Sequence, residues 1–149
     1  APFPARLIIN DRIAVARAVG AHGLHIGQSD GTPRAARNLI GPGMLLGLSI
    51  EAPEQMAAVP EGVVDYLGVG PIRATPSKPD HASPMGLAGL AAVTAATCLP
   101  CLAIGGLGMG DIDALQAAGA AGLAVVSAVT RAADPEAATR ALVEAWRRG

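Results

Sequence analysis

Asp65-Tyr66-Leu67-Gly68-Val69-Gly70-Pro71-Ile72-Arg73-Ala74-Thr75-Pro76-Ser77-Lys78-Pro79-Asp80 begins as a buried strand, breaks at Gly70-Pro71 and continues as a polar loop. Gly68 and Gly70 alternate along the strand and so share one face. A glycine inside a strand marks close approach by a second backbone or a ligand. Thr75, Ser77 and Lys78 then supply two hydroxyls and an ammonium. A phosphate group needs several hydrogen-bond donors and a nearby positive charge, and this loop offers both. Taken alone the stretch reads equally well as a surface turn rich in Pro and Ser. The same design repeated at other strand ends favours the phosphate reading.

The chain has 149 residues, enough for one domain with a real core. Hydrophobic residues make up 51%, yet Trp, Tyr and Phe occur once each, so the core is built from Ala, Val, Leu and Ile. With 19 Gly, that composition suits parallel strands covered by Ala-rich helices. A net charge of −1 gives no footprint for nucleic acid or an anionic membrane. The apolar runs are broken well short of a membrane span and no signal peptide is recognisable, so the expectation is a cytoplasmic protein. Cys98-Leu99-Pro100-Cys101 has the spacing of a redox dithiol or half a zinc site, but no second cysteine pair completes a metal centre. Cys101 opens an apolar strand and reads as a small buried hydrophobe.

Strands are expected over 6–9, 23–27, 44–49, 63–70, 100–104 and 123–126, with helices between them and a last helix from Pro135. Thr32-Pro33 and Asp134-Pro135 read as N-cap followed by proline at the first helical position. The segment Ala18-Val19-Gly20-Ala21-His22-Gly23-Leu24 is echoed by Ala117-Ala118-Gly119-Ala120-Ala121-Gly122-Leu123. Each is a helix end, a glycine cap and a new strand. Strict alternation of strand and helix implies a parallel sheet with right-handed crossovers. Two architectures satisfy that: an open doubly wound sheet or part of a (β/α)8 TIM barrel.

Polar residues at the strand ends separate the two. The ends carry Asn10-Asp11, Gln28-Ser29-Asp30, Ser49, the Thr75–Lys78 loop, Gly105-Gly106 and Ser127. A barrel gathers all strand C-termini on one face, whereas an open sheet uses only those near its switch point. Gly-Gly and Ser before a helix also match the phosphate site that barrels build after their last two strands. The chain therefore reads as the last six βα units of eight, a single partial barrel domain over 1–149.

Seven pieces in register now carry a resemblance: Leu-Ile-Ile-Asn-Asp-Arg (7–12), Gly-Leu-His-Ile-Gly-Gln-Ser-Asp (23–30), Gly-Leu-Ser (47–49), Asp-Tyr-Leu-Gly-Val-Gly-Pro-Ile (65–72), Thr-Pro-Ser-Lys-Pro-Asp (75–80), Ala-Ile-Gly-Gly-Leu (103–107) and Val-Val-Ser-Ala (125–128). Together they resemble thiamine-phosphate synthase, also called thiamine-phosphate pyrophosphorylase. The resemblance implies a transferase of thiamine biosynthesis that joins a hydroxymethylpyrimidine diphosphate to a thiazole phosphate. It implies that Asn10, Ser49 and Lys78 hold the pyrimidine diphosphate and carry the catalytic work. Asp11 and Asp30 would ligate Mg2+, and Thr75, Pro76, Ser77, Gly106, Val126 and Ser127 would bind the thiazole phosphate. The family also has a basic diphosphate-binding segment on its second strand that these 149 residues do not contain. Ser77 replaces the usual threonine and keeps its hydroxyl, and Glu51 stands where a histidine is frequent.

Plainer readings of the same residues stand beside these. Asp11 can cap the helix it precedes, Asp30 can close a turn, and Arg73 reads as a solvated loop arginine. His25 alternates with Leu24 and Ile26 and reads as a hydrogen-bonded structural histidine rather than a base. Rival functions are a thiazole tautomerase-like paralogue, which has no need of Asp11, Asp30 and Lys78 together, and an inactive phosphate-binding fragment. The barrel reading makes three geometric demands. The Asp11 and Asp30 carboxylates should lie within about 8 Å of each other. The donors of Thr75, Ser77, Gly106 and Ser127 should converge on one concave spot beside a short helix. The first strand and the strand before Ser127 should be opposite sheet edges, open to self-association, with a gap of two strands between them. On that reading the 149 residues alone have little activity, and an upstream segment restores it.

Overall fold

A computed structural model of the protein describes residues 5–75 and 82–149. Six strands form one parallel sheet in sequential order: β1 (Ile8–Asn10), β2 (Gly23–Ile26), β3 (Leu45–Ile50), β4 (Tyr66–Val69), β5 (Cys101–Ile104) and β6 (Gly122–Ala124). Every neighbouring pair is parallel, and the sheet is a half-barrel whose edges are β1 and β6. Among the described residues no pairing joins these two edges. The crossovers are α1 (Ile13–Ala18), α2 (Pro33–Ile40), a 3-10 helix (Pro53–Ala58), α3 (Gly86–Ala95) and α4 (Ile112–Ala117), the last preceded by a 3-10 turn at Met109–Asp111. After β6 come a single turn, α5 (Ser127–Thr130), and α6 (Pro135–Arg148). Among the described residues no helix is long and apolar enough to cross a membrane.

The core lies on the outer face of the sheet. Leu24 and Ile26 of β2, Leu46 and Ile50 of β3, Leu67 and Val69 of β4 and Ala103 of β5 are buried there. They pack with Ala16, Ala36, Leu90, Val93 and Leu115 from the covering helices. Each large aliphatic side chain so buried contributes about 1.5–3 kcal/mol before entropy is counted. Small alanines on the helices let them approach an aliphatic sheet closely, which is why so few aromatic residues suffice. Cys101 belongs to this layer, and burial pushes its thiol pKa up; Cys98 is exposed, and both thiols are free.

The two echoed segments are one capping device used twice. Val19 and Ala118 are the C-caps, and Gly20 and Gly119 follow at φ 61° and 83°. Gly20 N–H donates to the Arg17 carbonyl and Ala21 N–H to that of Ala16; Gly119 and Ala120 make the same pair to Gln116 and Leu115. Both are Schellman motifs, and each sends the chain straight into the next strand. Thr32 Oγ1 accepts from Ala35 N–H and Asp134 Oδ1 from Ala137 N–H, so both expected N-caps are present.

Five strands are shorter than the sequence indicates, and for three of them the structure shows the cause. β1 starts at Ile8 because Leu7 N–H is diverted to the ring nitrogen Nδ1 of His22. β4 starts at Tyr66 because Arg37 takes the Val63 carbonyl and pairs with Asp65, whose carboxylate also accepts Leu46 N–H. β6 stops at Ala124 because the Val126 carbonyl already accepts from Val129 and Thr130 in the next turn.

Alternation places Gly23, His25, Gly47, Ser49, Tyr66, Gly68 and Leu102 on the inner face. His25 Nδ1 lies 3.0 Å from Tyr66 Oη and His25 Nε2 lies 2.9 Å from Ser49 Oγ. A Cβ on Gly47 would strike both the Tyr66 ring and His25 Nδ1, and one on Gly68 would lie 2.9 Å from His25 Cε1. Gly70 meets the Ile104 carbonyl in the same way. The inner glycines are therefore spaces for neighbouring groups, as the alternation in 65–70 suggests.

Gly47→Ala should destabilise the fold by about 1–3 kcal/mol in urea denaturation, because the rings on either side must shift. Gly43→Ala, in open space at an ordinary φ, should stay within about 0.5 kcal/mol of the parent. Burial lowers the His25 pKa below 6.5, with the Asp30 charge opposing in part. The unfolded chain then binds a proton near pH 6.5 that the folded chain refuses until lower pH, so this contribution to stability is lost as pH falls through that window. Thermal midpoints from pH 7.5 to 5.5 should fall less steeply in His25→Gln than in the parent.

Candidate active site

All six strands end at the same rim, and their C-terminal residues surround a cavity of about 740 Å3. Asn10 and Asp11 enter from β1, Ser29 and Asp30 from β2, Ser49 and Glu51 from β3. Thr75 follows β4, Gly105 and Gly106 follow β5, and Val126 and Ser127 follow β6. Every described residue chosen from the sequence as a substrate or metal contact lines this space: Asn10, Asp11, Asp30, Ser49, Thr75, Gly106, Val126 and Ser127. Pro76, Ser77 and Lys78 lie outside the described residues. A second hollow of about 340 Å3 lies between β6 and α6 and is lined mainly by Leu123, Val125, Leu142, Val143 and Trp146. Of its lining only Thr139 and Arg147 have polar side chains.

Asp11 is the one non-glycine residue with a left-handed backbone among those described, at φ 61°. Its N–H donates to the His25 carbonyl at 2.8 Å, while Arg12 N–H turns back to the Asn10 carbonyl at 2.7 Å. Aspartate tolerates this conformation better than most residues, and outliers of this kind cluster at functional sites. Asp11 is not a helix cap: the N-cap of α1 is Arg12, with no side-chain capping bond. Asp30 does close a turn, since its Oδ2 accepts Gly27 N–H at 2.8 Å. It is also exposed on the cavity wall, so the turn fixes the carboxylate without burying it.

Among the described residues no group of three or more His, Cys, Asp or Glu is arranged to hold a metal alone. Two carboxylates, Asp11 and Asp30, on the wall of one cavity suit a hard cation that completes its shell with substrate phosphates and water. Mg2+ is bound in that way. The donor chemistry therefore fits Mg2+.

The opposite wall is organised by glycine. Gly105 and Gly106 have φ of 104° and 65°; a Cβ on the first would crowd Pro71 and one on the second would lie 2.8 Å from the Ala74 carbonyl. Only glycine lets the loop after β5 lie against the loop after β4. Ile72 N–H donates to the Ile104 carbonyl and Arg73 N–H to the Gly105 carbonyl, zipping the two loops together. Arg73 is not a free loop cation: its guanidinium pairs with Asp111 at 2.6 Å, and Asp111 also accepts Gly108 N–H at 2.8 Å. Thr75 is thus delivered next to Gly106.

One contributor, Tyr66, escaped the sequence reading, and Gln28 was named as a strand-end residue without its partner. Gln28 donates its side-chain amide to the Ser49 carbonyl, and Tyr66 bonds to His25. The clue for Tyr66 lay in its alternation with Gly68 and Gly70 on one strand face, which put a phenol among spaces. For Gln28 the strand-end position was the signal, but nothing pointed to the Ser49 carbonyl.

Residues 2–129 match the family described as thiamine monophosphate synthase. The chain is 54% identical to the thiamine-phosphate synthase of Solidesulfovibrio magneticus over 95% of its own length and 67% of that protein. It is 50% identical to the thiamine-phosphate synthase of Xanthobacter autotrophicus, with the same coverage. Among solved structures, thiamine phosphate pyrophosphorylase from Pyrococcus furiosus superposes with a TM-score of 0.86 at 31% identity, over 97% of this chain and 68% of that one. The chain thus spans about two thirds of the length of these relatives. With a family match over residues 2–129 and half or more of its residues identical to these two synthases over the aligned length, the chain belongs to the thiamine monophosphate synthase family.

Proposed function

We propose that the cavity joins a hydroxymethylpyrimidine diphosphate to a thiazole phosphate, yielding thiamine phosphate and diphosphate. The observation that carries this reading is the division of the rim. Carboxylates stand after β1, β2 and β3 (Asp11, Asp30 and Glu51), and hydroxyls and glycine N–H groups stand after β3 to β6 (Ser49, Thr75, Gly105, Gly106 and Ser127), around one space of about 740 Å3. That size lies in the range of small-molecule sites and admits two modest substrates side by side. A thiazole tautomerase or a simple phosphate-binding fragment has no use for the carboxylate side.

In this reading the Asn10 amide and the Ser49 hydroxyl hold the diphosphate. Thr75 and the backbone N–H groups of Gly106 and Ser127 hold the thiazole phosphate, with Val126 exposed against the ring. Ser77 and Lys78, which follow Thr75 in sequence, add a hydroxyl and a positive charge to the same loop. The carbon–oxygen bond to diphosphate breaks with its electron pair leaving on the diphosphate, and the thiazole nitrogen lone pair forms the new carbon–nitrogen bond. No side-chain nucleophile takes part, and the residues named bind, align and neutralise charge. Asp11 and Asp30 would hold Mg2+, which supplies charge neutralisation on the departing diphosphate.

The test is to supply both substrates with Mg2+ and follow thiamine phosphate and diphosphate together. Equimolar appearance of the two is expected when an upstream segment like that of the relatives is supplied, with little from the 149 residues alone; diphosphate release without thiamine phosphate, or no binding of either substrate, would sink the reading. Asp30→Asn should lower turnover by about 100-fold while leaving the thermal midpoint in place, because Asp30 packs against no core residue. A fall in activity matched by loss of folding would assign Asp30 to the turn alone.

Among the described residues β1 and β6 each pair with one strand alone, and these open edges lead us to propose self-association through them. Light scattering of the 149-residue protein should report a mass above 14.8 kDa that grows with concentration. A constant monomer mass would show that the edges are shielded.

A further inference from the structure

His25, Ser49 and Tyr66 stand on three adjacent strands and face inward together. His25 is level with Gly47, Gly47 with Tyr66, and Ser49 with Gly68. The two glycines leave the space in which the His25 and Tyr66 rings lie, with ring centroids 5.5 Å apart. The contacts are Tyr66 Oη to His25 Nδ1 at 3.0 Å and His25 Nε2 to Ser49 Oγ at 2.9 Å. Two strand positions emptied of side chains to admit one polar chain indicate a built network rather than a chance contact.

A neutral imidazole has one donor and one acceptor nitrogen, so this chain runs in one of two directions. If Nδ1 carries the proton, Ser49 spends its own proton on Nε2 and offers only lone pairs to a ligand. If Nε2 carries it, Ser49 Oγ accepts from the ring and its proton is free for the cavity. The Tyr66 hydroxyl decides between them. Among the described residues its hydrogen-bond partner is Nδ1, and an imidazole nitrogen is a better acceptor than a phenol oxygen.

We infer that Tyr66 and His25 are positioning residues that orient Ser49 as a donor: Tyr66 O–H donates to Nδ1, Nε2–H donates to Ser49 Oγ, and the Ser49 proton points at a phosphate oxygen. This rests on the reading of Ser49 as a diphosphate contact and adds the reason that contact is attractive. Phosphate oxygens only accept, so the other direction would set lone pairs against lone pairs. No proton leaves any group in this arrangement; the network fixes direction only.

The imidazole nitrogen resonances of 15N-histidine-labelled protein, with His25 assigned by comparison with His25→Gln, read the direction without any ligand. The expected result is a proton on Nε2 and none on Nδ1. A proton on Nδ1 overturns the inference whatever the protein binds. Titration of inorganic pyrophosphate in the presence of Mg2+ then tests the consequence. Tyr66→Phe, which removes one oxygen and keeps the ring packed, should mix the two imidazole forms and weaken pyrophosphate binding by about fivefold. Ser49→Ala should weaken it by about tenfold or more. Adding Tyr66→Phe to Ser49→Ala should weaken it no further, since Tyr66 acts only through Ser49. Fully additive losses would make Tyr66 merely structural and overturn the inference. Parent protein that binds no pyrophosphate would instead overturn the reading of Ser49 as a diphosphate contact, a result separable from the tautomer.

Discussion

A parallel strand has two faces, and in this molecule only one of them can bury aliphatic side chains. The helices cover the outer face, where Leu24, Ile26, Leu46, Ile50, Leu67 and Val69 are sealed. Side chains of opposite parity are thereby released from core duty. That constraint is what frees His25, Ser49 and Tyr66 to be polar and Gly47, Gly68 and Gly70 to be absent side chains. A slip of one residue in any strand would bury the histidine and serine and expose the leucines, so register is enforced by the whole outer layer.

Glycine then does for the site what aliphatic packing does for the scaffold. Gly70, Gly105 and Gly106 bring the loops after β4 and β5 into backbone contact. The Arg73–Asp111 pair holds the joined loops from outside the cavity. Since Arg73 is more than half exposed, this pair adds little to stability. Its effect is to fix where Thr75 starts the polar loop. The carboxylate wall is made differently: Asp11 by a left-handed turn tied to the His25 carbonyl, Asp30 by a turn it closes itself. His25 touches both halves, through its backbone to Asp11 and through its ring to Ser49 and Tyr66.

The rim thus gathers three carboxylates after β1 to β3 and hydroxyls and glycines after β3 to β6. The anionic groups of Asp11, Asp30 and Glu51 favour a cation, and the hydroxyls and backbone amides after β3 to β6 favour phosphate oxygens. Two phosphorylated substrates held between them would have their reacting ends brought together in the middle of the cavity. That is the arrangement a displacement needs when no side chain acts as nucleophile.

Much of this was legible in the 149 letters. Alternation of strand and helix, the two echoed glycine caps and the Pro-initiated helices are local signals, because caps and turns are decided by a few neighbouring residues. The strand-end residues could likewise be named one by one, since position after a strand is itself a local property. Strand ends were misjudged where distant groups intervene: His22 captures Leu7, and Arg37 and Asp65 occupy the groups before β4. Arg73 could not be paired with Asp111, nor Gln28 with the Ser49 carbonyl, because nothing in the sequence between them carries that information. The sequence by itself determined the order of the elements and the chemistry at each strand end. Only the tertiary structure decided which of those ends face one cavity and which ring fills which glycine's space, because contacts across strands depend on register and on long-range packing.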